Sequence, residues 1–575
     1  MPVHNSEIAG IFGACADLLE IEGANQYRVR AYRNAARGIT GLPRSAASML
    51  EAGEDLSSLP GIGKDLAGKI EEIIRTGRLA GLEEIKKKVP AGLTEVMKIG
   101  GLGPKRAGKL FHELGVSGLA DLRKAGEEGK IRELEGFGAK TEEAVVSELK
   151  RKGAAGAQGG RLLLAGAEDF ALPLLEYLRK GKGVRRAEAA GSYRRGVETV
   201  GDLDILVTHD EGSGVMDRFA GYDEVEKVVA KGGTRSTVVL RSGLQVDLRA
   251  VAGESYGAAL HYFTGSKAHN IAVRRMGVKR GLKINEYGVF RGKKRVAGRT
   301  EEEVYSSVKL PYIEPELREN NGELEAAAKG KLPKLVALED IRGDLHCHTD
   351  ATDGRSTLVE MAEAAKKKGY EYLAVTDHTR RLAMAHGFDA RRLERRLGEI
   401  DRLNGRLKGV RILKSAEVDI LEDGSLDLPD AVLKKLDLLV CAVHYKFRLS
   451  AKEQTERIVR AMNSPFFCVI AHPTGRLIGE RDRYEVDMER VVREAKATGS
   501  ALEINARPQR LDLDDAHCRM AAEAGVRLAI STDAHSSVEL DFMRHGVVQG
   551  RRGWLEAKDV LNTLTLKRLL EAVKK

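Results

Sequence analysis

The stretch Gly191 to Val207 reads GSYRRGVETVGDLDILV and decides how the middle of the chain folds. Its second half is an apolar run in which Asp202 and Asp204 stand two residues apart. Side chains two apart on a strand point to the same face, so we expect both carboxylates on one side of a sheet. Because like charges repel, this pair indicates a bound divalent cation, and oxygen ligands suit Mg²⁺ or Mn²⁺ that bridges substrate phosphates.

A third acid and a small-residue turn strengthen this prediction. Asp247 stands in QVDLR, on the next predicted strand. Three such carboxylates can hold two metal ions that clamp the attacking and leaving oxygens in phosphoryl transfer. Gly191 and Ser192 open a turn whose backbone N–H groups can approach a phosphate, with Arg195 close behind. A pair of aspartates in a strand is common on its own, but the combination predicts a phosphoryl-transfer site.

The longer stretch GSYRRGVETVGDLDILVTH resembles the palm motif of the nucleotidyltransferase superfamily, and more closely that of the family X DNA polymerases. The resemblance implies that Asp202 and Asp204 hold both metals and that Asp247 holds the catalytic one. It also implies nucleotide contacts from Gly191, Ser192, Arg195 and Gly201.

Bulk properties limit the class of protein. At 575 residues the chain is too long for one core and predicts roughly three to five domains. A net charge of +10 favours a polyanionic partner. The five cysteines have no CxxC spacing, so neither a disulfide framework nor a thiolate zinc finger is indicated. We find no leader-like N-terminus and no apolar run of membrane length, so we expect a cytoplasmic protein with no membrane partner.

Three related segments form an internal repeat in the N-terminal helical part. They read LPGIGKDLAGKI (59–70), IGGLGPKRAGKL (99–110) and LEGFGAKTEEAV (134–145). Each has an apolar residue between two glycines and then a helix start, which is typical of a helix-hairpin-helix whose backbone N–H groups meet DNA phosphates. In the third copy Glu142 replaces the alanine of the others, so a purely structural role remains open there. The residues expected to bind DNA are Gly61, Gly63, Gly101, Gly103, Lys105 and Tyr32.

Lys69 is a candidate for a second chemistry. The resemblance implies that a lysine in the helix after the first hairpin forms a Schiff base with the sugar left at an abasic site, and Lys69 occupies that position, with Tyr32 in a matching AYR segment. Asp65 stands where the family usually has a lysine. An ordinary surface lysine is an equally weighted alternative.

The segment from His261 to Phe290 predicts a turn followed by a helix that carries Asn270 and Arg274 on one face. Its YFTGS motif is similar to the sugar-contacting turn of family X. The resemblance implies that Tyr262, Phe263 and Gly265 lie against the deoxyribose, Asn270 at the minor-groove edge of the base and Arg274 on the templating side. Lys267 replaces an acid common in animal members, and this cation could contact the triphosphate.

Beyond Ile341 the pattern alternates between strand and helix. Seven apolar runs end in polar residues, which favours a parallel α/β barrel whose strand ends converge on one mouth. Imidazole with carboxylate suits Zn²⁺, Mn²⁺ or Fe²⁺, and nine ligands are too many for one ion, so we expect two or three metals. The predicted ligands are His346, His348, Asp353, His378, Glu417, His444, His472, Asp533 and His535.

This set resembles the polymerase and histidinol phosphatase (PHP) domain, and all nine ligand positions of that family are filled. The resemblance implies hydrolysis of phosphoesters by a metal-bound hydroxide. In bacterial and archaeal family X polymerases it implies 3′–5′ exonuclease, abasic-site endonuclease and 3′-phosphatase activities.

The chain is therefore identified as a member of the bacterial and archaeal family X polymerases with a PHP domain, of multidomain α+β and α/β class. We expect a distorted (β/α)7 barrel, gapped or nicked DNA and dNTPs as substrates, a repair protein such as a ligase as partner, and a monomer.

One alternative is a nucleotidyltransferase acting on RNA or a small molecule, and another is a DNA-binding protein; each would have a structural barrel. The predicted domains are 1–88 and 89–158 (helix-hairpin-helix), 159–252 (palm), 253–316 (thumb), 317–339 (linker) and 340–575 (PHP).

Overall fold

The structure, a computed structural model, falls into two units, Met1–Gly160 and Arg161–Lys575. The residues it describes are 5–40, 46–59, 61–86, 88–90, 92–97, 99, 102–138, 141–142, 145–146, 161–382 and 385–574. None of the helices described has the length and hydropathy needed to span a bilayer.

The N-terminal unit is built from short helices around one apolar core. Phe12 and Tyr32 meet edge to face in this core with ring centroids 5.6 Å apart, and Ile70 and Leu110 are buried in it. The α-helices are Asn5–Glu22, Gln26–Thr40, Ala46–Glu51, Lys64–Thr76, Ala80–Lys86, Leu93–Met97, Pro104–Leu114 and Leu119–Glu127, with 3₁₀ turns at Leu56–Ser58 and Ile131–Glu133.

The second unit begins with a mixed sheet of order β2-β4-β7-β6-β5. Strands β4 and β7 are parallel and central, and the other neighbours pair antiparallel. Inward residues of β4 and β7 pack on the helix Leu164–Arg179. The strands are β1 Leu162–Leu163, β2 Val184–Ala189, β3 Thr199–Val200, β4 Asp202–His209, β5 Val225–Lys231, β6 Arg235–Leu240 and β7 Gln245–Ala250, and the remaining helices are Gly191–Arg194 and Val215–Ala220.

A small α/β layer follows. Its three strands, β8 Lys283–Asn285, β9 Gly288–Arg291 and β10 Lys294–Ala297, form an antiparallel sheet. Its helices are Tyr256–Thr264, Lys267–Val278 and Glu301–Ser307, preceded by a 3₁₀ turn at Gly253–Ser255. Side-chain oxygens of Ser266 and Thr300 cap the last two helices, which fixes where each begins.

The segment 317–339, expected to be a linker, packs onto this layer. It contains the helix Glu323–Ala328, and Leu324 and Ala327 enter the same core as Tyr305. Glu323 is buried and lies 2.6 Å from Nδ1 of the buried His269. The charged, alanine-rich composition suggests an exposed connector. In the fold, however, one face of the helix is apolar and Glu323 has a buried partner. Short 3₁₀ turns flank it at Pro315–Leu317 and Leu338–Asp340.

The described residues of the C-terminal part form eight parallel strands covered by helices, and these strands come from the seven predicted apolar runs. Two sheets, of order β11-β12-β13 and β14-β15-β16-β17-β18, are linked by isolated pairings of His378 with Glu417 and of Cys347 with Ala534. The third predicted run contributes both β13 and β14. The strands are β11 Gly343–Cys347, β12 Tyr372–Val375, β13 Arg411–Lys414, β14 Glu417–Asp419, β15 Leu439–Ala442, β16 Cys468–Ile470, β17 Ala501–Asn505 and β18 Leu528–Ser531.

Almost every residue of these strands is buried, as expected for parallel strands covered on both faces. The covering α-helices are Leu358–Lys367, Ala390–Asn404, Asp430–Leu433, Ala451–Met462, Met488–Thr498, Asp515–Glu523, Met543–Arg552 and Leu566–Ala572, with 3₁₀ turns at Ser537–Phe542, Ala557–Asp559 and Leu561–Thr563.

Candidate functional site

The three predicted palm carboxylates lie on the two central strands. Asp204 on β4 lies directly opposite Asp247 on the neighbouring strand β7. Two residues earlier, Asp202 lies opposite Gln245. Burial, together with the charges of Asp202 and Asp247, raises the pKa of Asp204 to about 6. The negative charges of the three acids therefore repel one another, and a bound cation would offset this repulsion.

Asp247 is held by three donors. Its Oδ1 accepts hydrogen bonds from Thr237 Oγ1 at 2.5 Å and Arg235 Nη2 at 3.1 Å, and its Oδ2 accepts one from Gln245 Nε2 at 3.1 Å. Burial opposes ionisation, but these hydrogen bonds keep the pKa of Asp247 below its ordinary value. Asp247 is thus an ionised carboxylate of fixed orientation beside the more easily protonated Asp204.

The predicted phosphate turn packs directly on Asp204. Gly191 has a φ of +62°, and a Cβ at this position would lie 2.7 Å from Asp204 Oδ2. Only glycine meets both conditions without strain. Ser192 follows it in the short helix Gly191–Arg194. Gly201 is also close to a neighbour, since a Cβ there would lie 2.9 Å from Arg161 Nη1.

Arg195 is fixed by contacts beyond its own turn. Its Nε donates to Glu319 Oε1 at 2.9 Å, and its Nη1 donates to the carbonyl oxygen of Thr264 at 2.5 Å. The neighbouring Arg194 forms a bidentate pair with Glu301. The palm turn is therefore joined to the α/β layer by charge-assisted hydrogen bonds.

The predicted nucleotide-contacting residues of that layer lie on its first two helices and the turn between them. Gly265, with a φ of +70°, approaches Arg195, because a Cβ there would lie 3.3 Å from Arg195 Nη1. Tyr262 and Phe263 meet edge to face, and Asn270 Nδ2 donates to the Tyr262 carbonyl oxygen at 2.6 Å. The structure also places Lys267 and Arg274 exposed on the second helix.

Lys69 lies beside both residues that the sequence singled out with it. Its Nζ is 2.5 Å from Asp65 Oδ2 and 5.3 Å from the Tyr32 ring centroid. Burial favours the neutral amine, but hydrogen bonding to Asp65 and Tyr32 leaves the pKa of Lys69 above its ordinary value. The amine is therefore protonated near neutral pH, a state that is not nucleophilic.

The hairpin glycines have the expected local geometry. Gly61 has a φ of +75°, and Gly63 and Gly103 each form the N-cap of a helix. Among the described residues, no atom lies within 4 Å of the position that a Cβ would take at any of these three glycines. Lys105 is exposed in the first turn after Gly103. Gly101 lies outside the described residues.

The nine predicted metal ligands of the C-terminal part come together at the strand ends. Glu417 is central: its carboxylate lies 2.9 Å from His378 Nδ1, 3.1 Å from His444 Nε2 and 3.0 Å from His472 Nε2. Among the described residues, three overlapping groups have candidate ligand atoms within 4.8 Å of one another. The groups are His348, Asp353, His378 and His535; His346, His348 and Asp533; and His378, Glu417 and His444.

The backbone of this cluster adopts conformations that L-residues seldom take. His472 has a φ of +30° and Asp533 a φ of +51°. Non-glycine residues in this region cost free energy and concentrate at functional sites. Burial opposes ionisation of Glu417, but the adjacent imidazoles of His444, His378 and His346 hold its pKa well below the ordinary value.

The chain matches models of known protein families over most of its length. Family models match as DNA polymerase beta palm over 174–279, DNA polymerase beta thumb over 259–319 and PHP domain over 344–507. Two helix-hairpin-helix models match 3–79 and 93–151, the second described as a SAM-like tandem. The DNA polymerase/3′-5′ exonuclease PolX of Bacillus subtilis (strain 168) is 40% identical over 570 residues, which cover 98% of each chain. The chain belongs to the family X DNA polymerases that carry a PHP domain.

The PHP part of this family X chain also has relatives of its own. A probable phosphatase of Thermoanaerobacter sp. (strain X514) is 30% identical over 232 residues, 38% of this chain and 89% of the relative. A probable phosphatase of Acetivibrio thermocellus is 31% identical over 34% of this chain and 80% of the relative. The predicted family and fold class are confirmed.

Two buried acids of the PHP part escaped prediction. Glu503 Oε1 lies 2.7 Å from His346 Nδ1, and Glu503 Oε2 accepts the backbone N–H of His472. Asp419 Oδ1 lies 3.0 Å from His444 Nδ1. A carboxylate on one imidazole nitrogen orients the other for a metal. The sequence could have indicated them, because both acids lie in apolar runs that were predicted as strands ending at the mouth of the barrel.

The PHP residues fit divalent cations. Among the described residues of this cluster, Nδ1 of His348 and Nδ1 of His472 are buried without a hydrogen-bond partner. Buried polar atoms without partners are costly, and coordination of a metal ion within the cluster would offset that cost. The excess of imidazole over hydroxyl or amide groups is also typical of metal sites.

Proposed function

We propose that this family X chain is a DNA-directed DNA polymerase that fills short gaps in repair, with a metal-dependent phosphoesterase in its PHP domain. The polymerase assignment depends on one observation. Asp204 pairs directly with Asp247 on the neighbouring strand, and Gly191 packs on Asp204. The two acids lie side by side near the start of two neighbouring parallel strands, next to the turn that we propose accepts a phosphate. The name of the Bacillus subtilis relative, which states both polymerase and 3′-5′ exonuclease activity, supports both halves.

At the palm we propose that Asp202 and Asp204 bind two Mg²⁺ or Mn²⁺ ions and that Asp247 binds the catalytic one. Such a pair supplies Lewis-acid stabilisation of the transferring phosphoryl group. Asp247, held in a fixed orientation by its three hydrogen-bond donors, would receive the proton of the primer 3′-hydroxyl.

For the incoming dNTP we propose phosphate contacts from Gly191, Ser192, Arg195, Gly201 and Lys267. Arg195 uses Nε and Nη1 within the protein, which leaves Nη2 for a phosphate oxygen. The sugar would lie against the Tyr262–Gly265 turn, the base near Asn270 and the templating strand near Arg274.

At the PHP site we propose that the nine clustered residues hold two or three Zn²⁺, Mn²⁺ or Fe²⁺ ions. Glu417 would bridge, since three imidazoles already surround its carboxylate. When held by these residues, divalent cations would lower the pKa of water enough for hydrolysis near neutral pH. Suitable substrates are DNA 3′ ends, abasic sites and 3′-phosphates.

The helix-hairpin-helix repeats would hold gapped or nicked DNA by its phosphates, and Lys69 is the candidate lyase residue. A ligase would complete the repair. We propose that the protein acts as a monomer in the cytoplasm.

The proposal is tested with a 5′-phosphorylated one-nucleotide gap in DNA and with its RNA counterpart. We expect extension of the DNA primer by the wild-type protein and loss of extension by Asp247→Ala. Extension that survives in Asp247→Ala would refute the assignment of the palm. Preference for the RNA substrate would favour the alternative of an RNA nucleotidyltransferase.

A further inference from the structure

The PHP helix Met543–Arg552 lies against the phosphate turn of the palm. Val548 packs on Gly196, the residue after Arg195, which has a φ of +65° and leaves room for that side chain. Val548 also joins a small apolar cluster with Leu164 and Val200. The turn that we propose to bind the triphosphate is thus supported by the other catalytic domain.

Arg552, at the end of this helix, contacts Arg195 in two ways. Its Nη1 donates to the main-chain carbonyl oxygen of Arg195 at 2.9 Å and to Glu319 Oε1 at 3.1 Å. The same Glu319 oxygen accepts the Arg195 Nε hydrogen bond. Arg552 therefore fixes both the backbone of Arg195 and the carboxylate that orients its guanidinium.

Arg552 itself is held firmly on the PHP side. Its Nη2 donates to Asp515 Oδ2 at 2.7 Å, and its side chain is only 9% exposed. Earlier in the helix, Gly546 approaches Ile530 and Ala506 so closely that a Cβ would lie 2.6 and 2.7 Å from them. The helix cannot shift without disturbing the core of the PHP sheet.

A second PHP arginine holds the same palm segment a few residues further on. Arg476 Nη2 donates to Glu198 Oε2 at 2.7 Å, and its Nε donates to the Arg510 carbonyl oxygen at 3.0 Å. Residues 195–198 are therefore anchored at both ends by side chains of the PHP domain.

We propose that Arg552 is a positioning residue of the polymerase site, which acts through Glu319 and the Arg195 backbone to direct Arg195 at the triphosphate. The inference rests on the proposed function of Arg195. If Arg552 has this role, nucleotide binding in the palm depends on the contact with the PHP domain. It does not depend on the phosphoesterase activity of that domain. Charge-assisted contacts of this kind lose most of their orienting effect when both the charge and the planar fork are removed, and part of it when only the fork is removed.

The test compares the full-length variants Arg552→Gln and Arg552→Lys with Arg544→Gln. Arg544 lies on the same helix and pairs with Glu168 of the palm rather than with Arg195 or Glu319, so it controls for general weakening of the interface. For Arg552→Gln we expect about a tenfold rise in the KM for dNTP, the effect of about one charge-assisted hydrogen bond, with kcat little changed. Arg552→Lys should recover part of this loss, and Arg544→Gln should match the wild type. Circular dichroism melts would establish that each variant is folded.

Two further variants separate this inference from the proposed function. If Arg195→Ala leaves the KM for dNTP unchanged, the phosphate-binding role of Arg195 fails. If Arg195→Ala raises the KM but folded Arg552→Gln does not, only the positioning role fails. In the double variant we expect the KM of Arg195→Ala alone, because both substitutions remove the same interaction. Additive effects would overturn the inference.

Discussion

Gly191 lies so close to Asp204 that a Cβ at position 191 would be 2.7 Å from Asp204 Oδ2. The glycine also has a φ of +62°. The turn that would bind phosphate and the carboxylate that would bind metal are therefore packed against each other, and neither can move alone.

Gly191→Ala is predicted to abolish most gap filling. The added methyl group must displace Asp204, and misplacement of a reacting group by about 1 Å can cost roughly a hundredfold in rate. The matched control is Gly212→Ala, also in the palm, with a φ of +74° and nothing within 4 Å of its Cβ position. Both variants should lose about 1 kcal/mol of stability from the left-handed backbone, but only Gly191→Ala should lose activity. Equal activities would contradict this account.

Glu503→Gln is predicted to lower PHP phosphoesterase activity by roughly 10- to 100-fold, the usual effect of removing a carboxylate that orients a metal-binding histidine. Glu503 contacts His346 and the backbone of His472, so the variant should also bind less metal, measured by elemental analysis. Glu523→Gln, on the surface of the same domain, is the control. Primer extension should be unaffected by either change. Unchanged metal content in folded Glu503→Gln would refute the role of Glu503.

Abasic-site lyase activity of the wild type is predicted to be weak, because the ion pair with Asp65 keeps Lys69 protonated. Asp65→Asn removes that charge and should increase the yield of borohydride-trapped protein–DNA adduct. The increase should disappear in Asp65→Asn with Lys69→Ala. A smaller yield in Asp65→Asn than in the wild type would show that Asp65 assists the chemistry.

His545 is predicted to make the protein less stable in acid. Burial, with the charge of Arg544, lowers the pKa of His545 to about 3 from an ordinary value of 6.5. The unfolded chain then binds one more proton than the folded chain between these values, so the free energy of unfolding falls as pH falls through this window, by at most about 1.4 kcal/mol per pH unit.

The measurement is denaturant unfolding of the wild type and of His545→Gln from pH 7 to pH 4. Glu168, 3.8 Å from His545, is present in both proteins, so the difference in slope reports on His545. The variant should have the shallower pH dependence. Parallel curves would show that folding does not lower the pKa of His545.

Local patterns made much of both sites predictable. Asp202, Asp204 and the nine PHP residues each follow or lie in a short apolar run, and the period of a strand alone predicts where such side chains point. The glycines of the hairpins and of the phosphate turn could be predicted for a similar reason, because tight turns need their backbone freedom.

Long-range pairing could not be predicted in this way. Glu319 and Arg552 meet at Arg195, although no periodicity links these positions in the sequence. Glu323 lies in a segment whose composition is that of a solvated connector. Only the fold shows that its partner is the buried His269. Asp65 differs from these examples, because it lies one helical turn before Lys69, at a spacing that the sequence itself shows.

The most direct test of two separate catalytic centres is one gel assay on a 5′-phosphorylated one-nucleotide gap, with dNTPs, Mg²⁺ and Mn²⁺, that follows extension and shortening of the same primer. Asp204→Asn should lose extension and keep shortening, whereas His346→Ala with His348→Ala should do the reverse. Extension that persists in folded Asp204→Asn, or the loss of both activities in either variant, would contradict this account.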